Sequence, residues 1–230
     1  MITDKKEFYG GAAMMAGFLA VLFIMFLPLF EGQKNSLNYL DDLFNSISKN
    51  SAYYIPTIKT NVAKSETGKN LTLDLSLDSD TLAKEGALLL QKSGASVAVD
   101  GKSIHAVGDL GLMLGNCLDD ADTLFNNNGQ ALQDKYGIEG KKTLFVWHSI
   151  LKSLQKALDK QEKFDESKVV YTVMTKAVEC AYNYYRVVPQ KMSERLGMVV
   201  FSLVFYVIYT MWYGYAILYL FEGWGLQISH

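Results

Sequence analysis

The run LGMVVFSLVFYVIYTMWYGYAILYLF, residues 196–221, contains no Asp, Glu, Lys, Arg or His. As a helix it would be roughly 39 Å long at about 1.5 Å per residue, enough to cross a hydrocarbon core of about 30 Å with some tilt. A second charge-free run, GGAAMMAGFLAVLFIMFLPLF, occupies residues 10–30. It also meets the roughly 20 residues that a spanning helix needs. The competing reading of this first run is a cleaved signal peptide. Its apolar part is long for one, and Leu27-Pro28-Leu29-Phe30 offers no small-residue cleavage site, so an uncleaved anchor is expected.

Working outward, the chain reads as a membrane protein with two transmembrane α-helices, N- and C-terminal, and an intervening α+β, mostly helical, water-exposed domain. The expected boundaries are a tail at 1–9, the first span at 10–30, the domain at 31–195, the second span at 196–221 and a tail at 222–230. With two spans, both tails share one side. Lys5 and Lys6 precede the first span, whereas Lys34 follows it among Glu31, Asp41 and Asp42. That balance favours a cytoplasmic N-terminus and an extracytoplasmic (in a bacterium, periplasmic) domain, although Arg186, Lys191 and Arg195 before the second span pull the other way.

Composition fits this mixture. Of 230 residues, 50% are apolar and only 20% charged, as expected when apolar segments are added to an ordinary soluble stretch. The formal charge of −2 gives no reason to expect a nucleic-acid partner. Cys117 and Cys180 follow no metal or redox spacing; one disulfide or two free thiols both fit.

Neither span holds the ionisable groups that a proton or ion path needs, nor the histidines of a bis-imidazole haem. No cofactor is called for by the spans alone, and an anchor is the better reading. Two features suggest that the anchor has company. Ala12, Ala16 and Ala20 recur every four residues, with Ala13 and Gly17 beside them, and small side chains at that spacing let another helix approach. The plain alternative is that alanine is simply a good apolar helix former. In the second span Tyr206, Tyr209 and Tyr213 share a face. Tyr213 fits an interfacial aromatic belt with Tyr215, Tyr219 and Trp224. Tyr206 and Tyr209 fall near mid-bilayer, where an unpaired hydroxyl costs on the order of a few kcal/mol. They are expected to meet a polar group on a partner helix, on the first span or on a bound cofactor. Arg186, Lys191 and Arg195 are placed to contact lipid headgroups.

Within the domain, Leu71-Thr-Leu-Asp-Leu-Ser-Leu77 alternates strictly and reads as a half-buried strand. Asp78 or Ser79 caps a following helix that Ser93-Gly94 ends. Residues 95–99 and 103–107 flank Asp100-Gly101, a hairpin signal of type I′, giving a small sheet over 71–107. Leu37 to Ile47 has helical spacing; Ile55-Pro56 is expected to break it, and the polar stretch to Asn70 reads as a loop. Helical stripes fill 109–188, among them Leu110–Leu124, Leu144–Leu158 and Val170–Tyr184.

Catalytic patterns are thin. His105, His148 and His230 are isolated, no GxSxG, GxGxxG or Walker loop occurs, and no metal set is expected. The carboxylates of Asp74–Glu85 and of Asp119, Asp120 and Asp122 lack the order of a calcium loop and read as caps and a solvated face. The leading expectation is a non-catalytic, membrane-anchored accessory subunit whose partners are other integral membrane subunits, lipid, or further copies of itself. An extracytoplasmic sensor signalling through a partner, and a membrane-tethered enzyme, are the alternatives.

Overall fold

The structure is a computed structural model and describes residues 2–226; His230 lies outside the described residues. In chain order the elements are α1 (Lys5–Phe26), α2 (Ser36–Ser51), α3 (Ile55–Ser65), β1 (Asn70–Ser76), α4 (Asp80–Lys92), β2 (Ser96–Asp100) and β3 (Ser103–Asp109). There follow α5 (Leu110–Phe125), α6 (Gly129–Tyr136), α7 (Gly140–Lys160), α8 (Phe164–Val173), a π-helical turn (Met174–Val178), α9 (Glu179–Tyr184) and α10 (Met192–Gly223). The protein is thus mostly helical, with one small sheet. It divides into two compact units, Met1–Ser48 with Pro189–His230, and Lys49–Val188.

In the first unit, α1 and α10 are long and apolar enough to cross a membrane. Only 6% and 11% of their most apolar windows are buried within the chain, unlike a core helix, which would be mostly buried. α1 starts earlier than the charge-free run because Asp4 caps it, accepting from the Lys6 and Glu7 amides at 2.8 and 3.1 Å. It stops at Phe26, since Pro28 drives Leu27 to extended backbone (ψ 145).

The second unit is built on the alternation of β1, whose Leu71, Leu73 and Leu75 are buried while Thr72, Asp74 and Ser76 stay exposed. The strand order is β1-β3-β2, antiparallel throughout, with Asp74 opposite His105 and Leu73 opposite Ala106. One face of the sheet meets a core centred on Leu73, Leu89, Ile104, Leu114, Trp147 and Leu151, supplied mainly by α4, α5 and α7. Ser79 caps α4 through the Leu82 amide, and Gly94 follows its end at φ +88.

Two expectations fail here. The 55–65 stretch is a helix, not a loop. Pro56 sits in the first turn of α3, where its missing N–H costs nothing, and Ile55, Ile58 and Val62 form a buried face. The hairpin turn is offset by one residue: Asp100 pairs with Ser103, leaving Gly101 and Lys102 as the loop. Only Gly101 has positive φ (+56), which matches a type II′ turn rather than the type I′ that needs two.

Candidate functional site

α1 and α10 run antiparallel, and glycines set how closely they approach. A Cβ on Gly11 would lie 2.7 Å from the Leu220 nitrogen, and one on Gly223 would lie 2.5 Å from the Phe8 nitrogen. One on Gly17 would lie 2.9 Å from the Trp212 ring. Just beyond Gly17, Phe18 stacks on Tyr209, with ring centroids 4.3 Å apart, and also touches Tyr213 at 5.0 Å. The Tyr209 hydroxyl donates to the Phe18 carbonyl at 3.0 Å, and Trp212 Nε1 donates to the Met14 carbonyl at 3.0 Å. Each carbonyl uses its second lone pair, so both α1 and α10 keep their ladders while two side-chain donors are satisfied without water. At the end of the pair, the Thr3 and Asp4 amides both donate to the Gly223 carbonyl.

The residues singled out from sequence fall into two groups. Gly17 and Tyr209 lie in the seam, Tyr213 at its edge, and Ala12 is half-buried. Ala13, Ala16 and Ala20 face outward and are exposed. So does Tyr206, at 67% exposure, and its hydroxyl has no partner among the described residues. Sequence reasoning missed Gly11 and Gly223. Glycine at 11 was visible, but its role depends on meeting the backbone of a helix some two hundred positions away. Among the proposed headgroup contacts, Arg195 lies in the first turn of α10 and Lys191 at its N-cap. Arg186 belongs to the other unit, where its guanidinium covers the Tyr185 ring at 5.2 Å.

Comparison with protein families, with curated proteins and with solved structures found no match.

In the Lys49–Val188 unit the polar chemistry is mostly internal. Asp120 is 1% exposed and accepts from Tyr136 Oη (2.6 Å), Trp147 Nε1 (2.8 Å) and Lys135 Nζ (2.7 Å). This corrects the reading of Asp119, Asp120 and Asp122 as one solvated cluster. Asp120 continues the Met113–Cys117–Leu124 buried face of α5, whereas Asp119 points to solvent and pairs with Lys59. Burial, followed by the Asp120 carboxylate, pushes the Tyr136 hydroxyl far up. Burial does the same to the Cys117 thiol, with Asp120 adding to it. The cysteines are free: Cys117 is enclosed, and Cys180 Sγ donates to the Ala52 carbonyl at 3.3 Å.

Lys49 is a second buried ion. Its ammonium donates to Asn127 Oδ1 (3.1 Å) and to the Tyr184 and Val187 carbonyls (3.0 and 2.8 Å), closing the end of α9. Burial lowers its pKa. More open is a groove of about 400 Å³ between α7 and α9, flanked by Phe145 and Tyr182, in which His148 Nε2 lies 3.1 Å from Glu179 Oε1. The π-helical turn just before α9 adds a residue to the helix and so sets where Val178 and Glu179 point.

Proposed function

We propose that this chain is a membrane-anchored, non-catalytic accessory subunit of a larger membrane assembly. The observation that carries the reading is the face of α1 left over once α10 has packed. Gly11 and Gly17 are consumed by the pair, yet Ala13, Ala16 and Ala20 line the opposite, exposed side. Lipid gives helices no hydrophobic reason to associate, so close backbone approach over small residues is a main source of helix affinity in a bilayer. Tyr206 adds a mid-span hydroxyl that a neighbouring helix would satisfy, as Phe18 satisfies Tyr209. The polar networks of the Lys49–Val188 unit support the same view, because Asp120 and Lys49 are saturated by structural partners. The expected topology places that unit outside the cytoplasm.

Gentle detergent extraction with mass measurement tests this. The expected particle exceeds the 25.7 kDa of one chain, and Ala16→Leu with Ala20→Leu returns it to monomer. A monomeric wild-type chain overturns the proposal.

The groove between α7 and α9 favours a second reading, a sensor that signals through a partner. It joins apolar walls to a few convergent polar groups, the usual make-up of a small-ligand site. A ligand-induced rise in the melting temperature of the full chain, abolished by Phe145→Ala, would favour it over a purely structural role.

A further inference from the structure

A different cavity, of about 400 Å³, lies within the first unit where the two apolar runs end. Phe30 closes the first run and Arg195 immediately precedes the second. The chain around it is firmly shaped. After Phe30, Gly32 and Gln33 both take positive φ (+75 and +55), so that the Phe30 amide can donate to the Lys34 carbonyl at 3.0 Å. Phe30 stacks on Tyr39 at 4.5 Å, forming one wall. On the other side the Gln190 amide is tied to the Ser46 carbonyl, and Gln190 Oε1 accepts from Arg195 Nε at 2.8 Å. That bond orients the guanidinium and leaves its terminal nitrogens with no protein acceptor among the described residues.

The charges lining this cavity cancel in an informative way. Lys34 and Asp42 are paired with each other at 2.5 Å. Arg195 and Glu31 remain, and neither has an ionic partner among the described residues. Arg195 also stands in the first turn of α10, where the helix dipole disfavours a cation and Glu194 offsets that only in part. One unpaired cation and one unpaired anion in the same cavity complement a zwitterion, and a phosphodiester is among the anions that a guanidinium recognises well.

We propose that this cavity holds the headgroup of an amine-bearing, zwitterionic membrane phospholipid, with its phosphate on Arg195 and its amine on Glu31. A membrane lipid fits better than a free phosphate because the exposed, apolar Leu196 and Val200 follow directly, on one face of α10, and can accept an acyl chain. The inference rests on the two helices spanning a bilayer, not on the accessory-subunit role.

The test is native mass spectrometry of the delipidated full chain in mild detergent. It is titrated with phosphatidylethanolamine, phosphatidylcholine and phosphatidylglycerol of matched chains, and with inorganic phosphate. Phosphatidylethanolamine is expected to bind most tightly. Arg195→Ala should weaken it about tenfold, the scale of one charge-assisted contact. Arg195→Lys should fall between, and Glu31→Gln should abolish the preference over phosphatidylglycerol while leaving binding. Both residues are exposed, so the variants keep the fold. Equal affinity in Arg195→Ala, a wild-type preference for phosphatidylglycerol, or competition by inorganic phosphate overturns the proposal. Carbonate extraction of the producing membranes is read separately. A chain that resists extraction but shows no lipid preference sinks this inference alone, and one that washes off sinks the anchor reading too.

Discussion

The paired apolar helices and the Lys49–Val188 unit handle buried polarity in opposite ways. Along the seam of the pair the side-chain donors are neutral and go to helical carbonyls, Tyr209 to Phe18 and Trp212 to Met14. In the other unit the interior admits full charges, Asp120 and Lys49, each surrounded by three partners. A bilayer or a thin two-helix seam has no room for a shell of donors around an ion. A core assembled from several helices does. The two units should therefore fail independently, and for different reasons.

The largest expected effect is in the charged core. Asp120→Ala strands the Lys135 ammonium, the Tyr136 hydroxyl and the Trp147 indole together, and should cost about 3–5 kcal/mol. Denaturant unfolding followed by hydrogen exchange should show this loss across α5–α7, with the amides of α1 unchanged. Simultaneous loss of protection in α1 would break the comparison.

Next comes Gly11→Leu. Its side chain would meet the backbone of α10 at Leu220, not a flexible tip, so the helices must separate. Overpacking of this kind costs about 1–3 kcal/mol. Disulfide cross-linking between cysteines placed along α1 and α10 should drop, while the melting of the Lys49–Val188 unit stays put.

A pH series sharpens the contrast further. Because burial lowers the Lys49 pKa, the folded state sheds this proton before the unfolded chain does. Stability should then rise with pH as it approaches the ordinary lysine value of 10.5. Cys117 and Tyr136 act in the opposite sense: their raised pKa values give stability that is whole below 9.0 and 10.0 respectively, and is lost above. Lys49→Met should remove only the rising component, leaving a simple alkaline decline. An unchanged profile would show that the ammonium is not truly enclosed.

The smallest effect is expected from Tyr209→Phe, about 0.6 kcal/mol, the usual worth of a hydrogen bond between membrane helices. Cross-linking yield between α1 and α10 measures it, and Tyr206→Phe, whose hydroxyl has no partner among the described residues, should leave that yield unaltered.

Much of the architecture was legible because it rests on periodicity. Leucines at alternate positions, Leu71, Leu73 and Leu75, define β1, and two charge-free runs define α1 and α10. What stayed hidden depended on offsets of a single residue or on distant partners. By sequence Pro56 reads as a breaker, yet one position decides whether proline ends a helix or begins it. Asp120 differs from Asp119 only in facing the Met113–Cys117–Leu124 stripe, and counting that stripe forward would have flagged a buried carboxylate. Gly11 and Gly223 needed knowledge of which helix lay opposite. The cavity between Phe30 and Arg195 needed the Phe30–Lys34 turn and the Gln190–Arg195 bond, neither of which leaves a periodic trace.

The bond from Tyr209 to Phe18 joins positions 191 residues apart. Contacts so remote in sequence bear the heaviest loop-closure penalty and form after local ones. Synthesis proceeds from Phe18 toward Tyr209, so a nascent chain carries α1 through the whole of the Lys49–Val188 stretch before its mate exists. During that interval both sides of α1 lie bare, the glycine side awaiting α10 and the alanine side with nothing yet against it. A ribosome stalled short of residue 209 would leave an orphan helix that can pair wrongly with any neighbour.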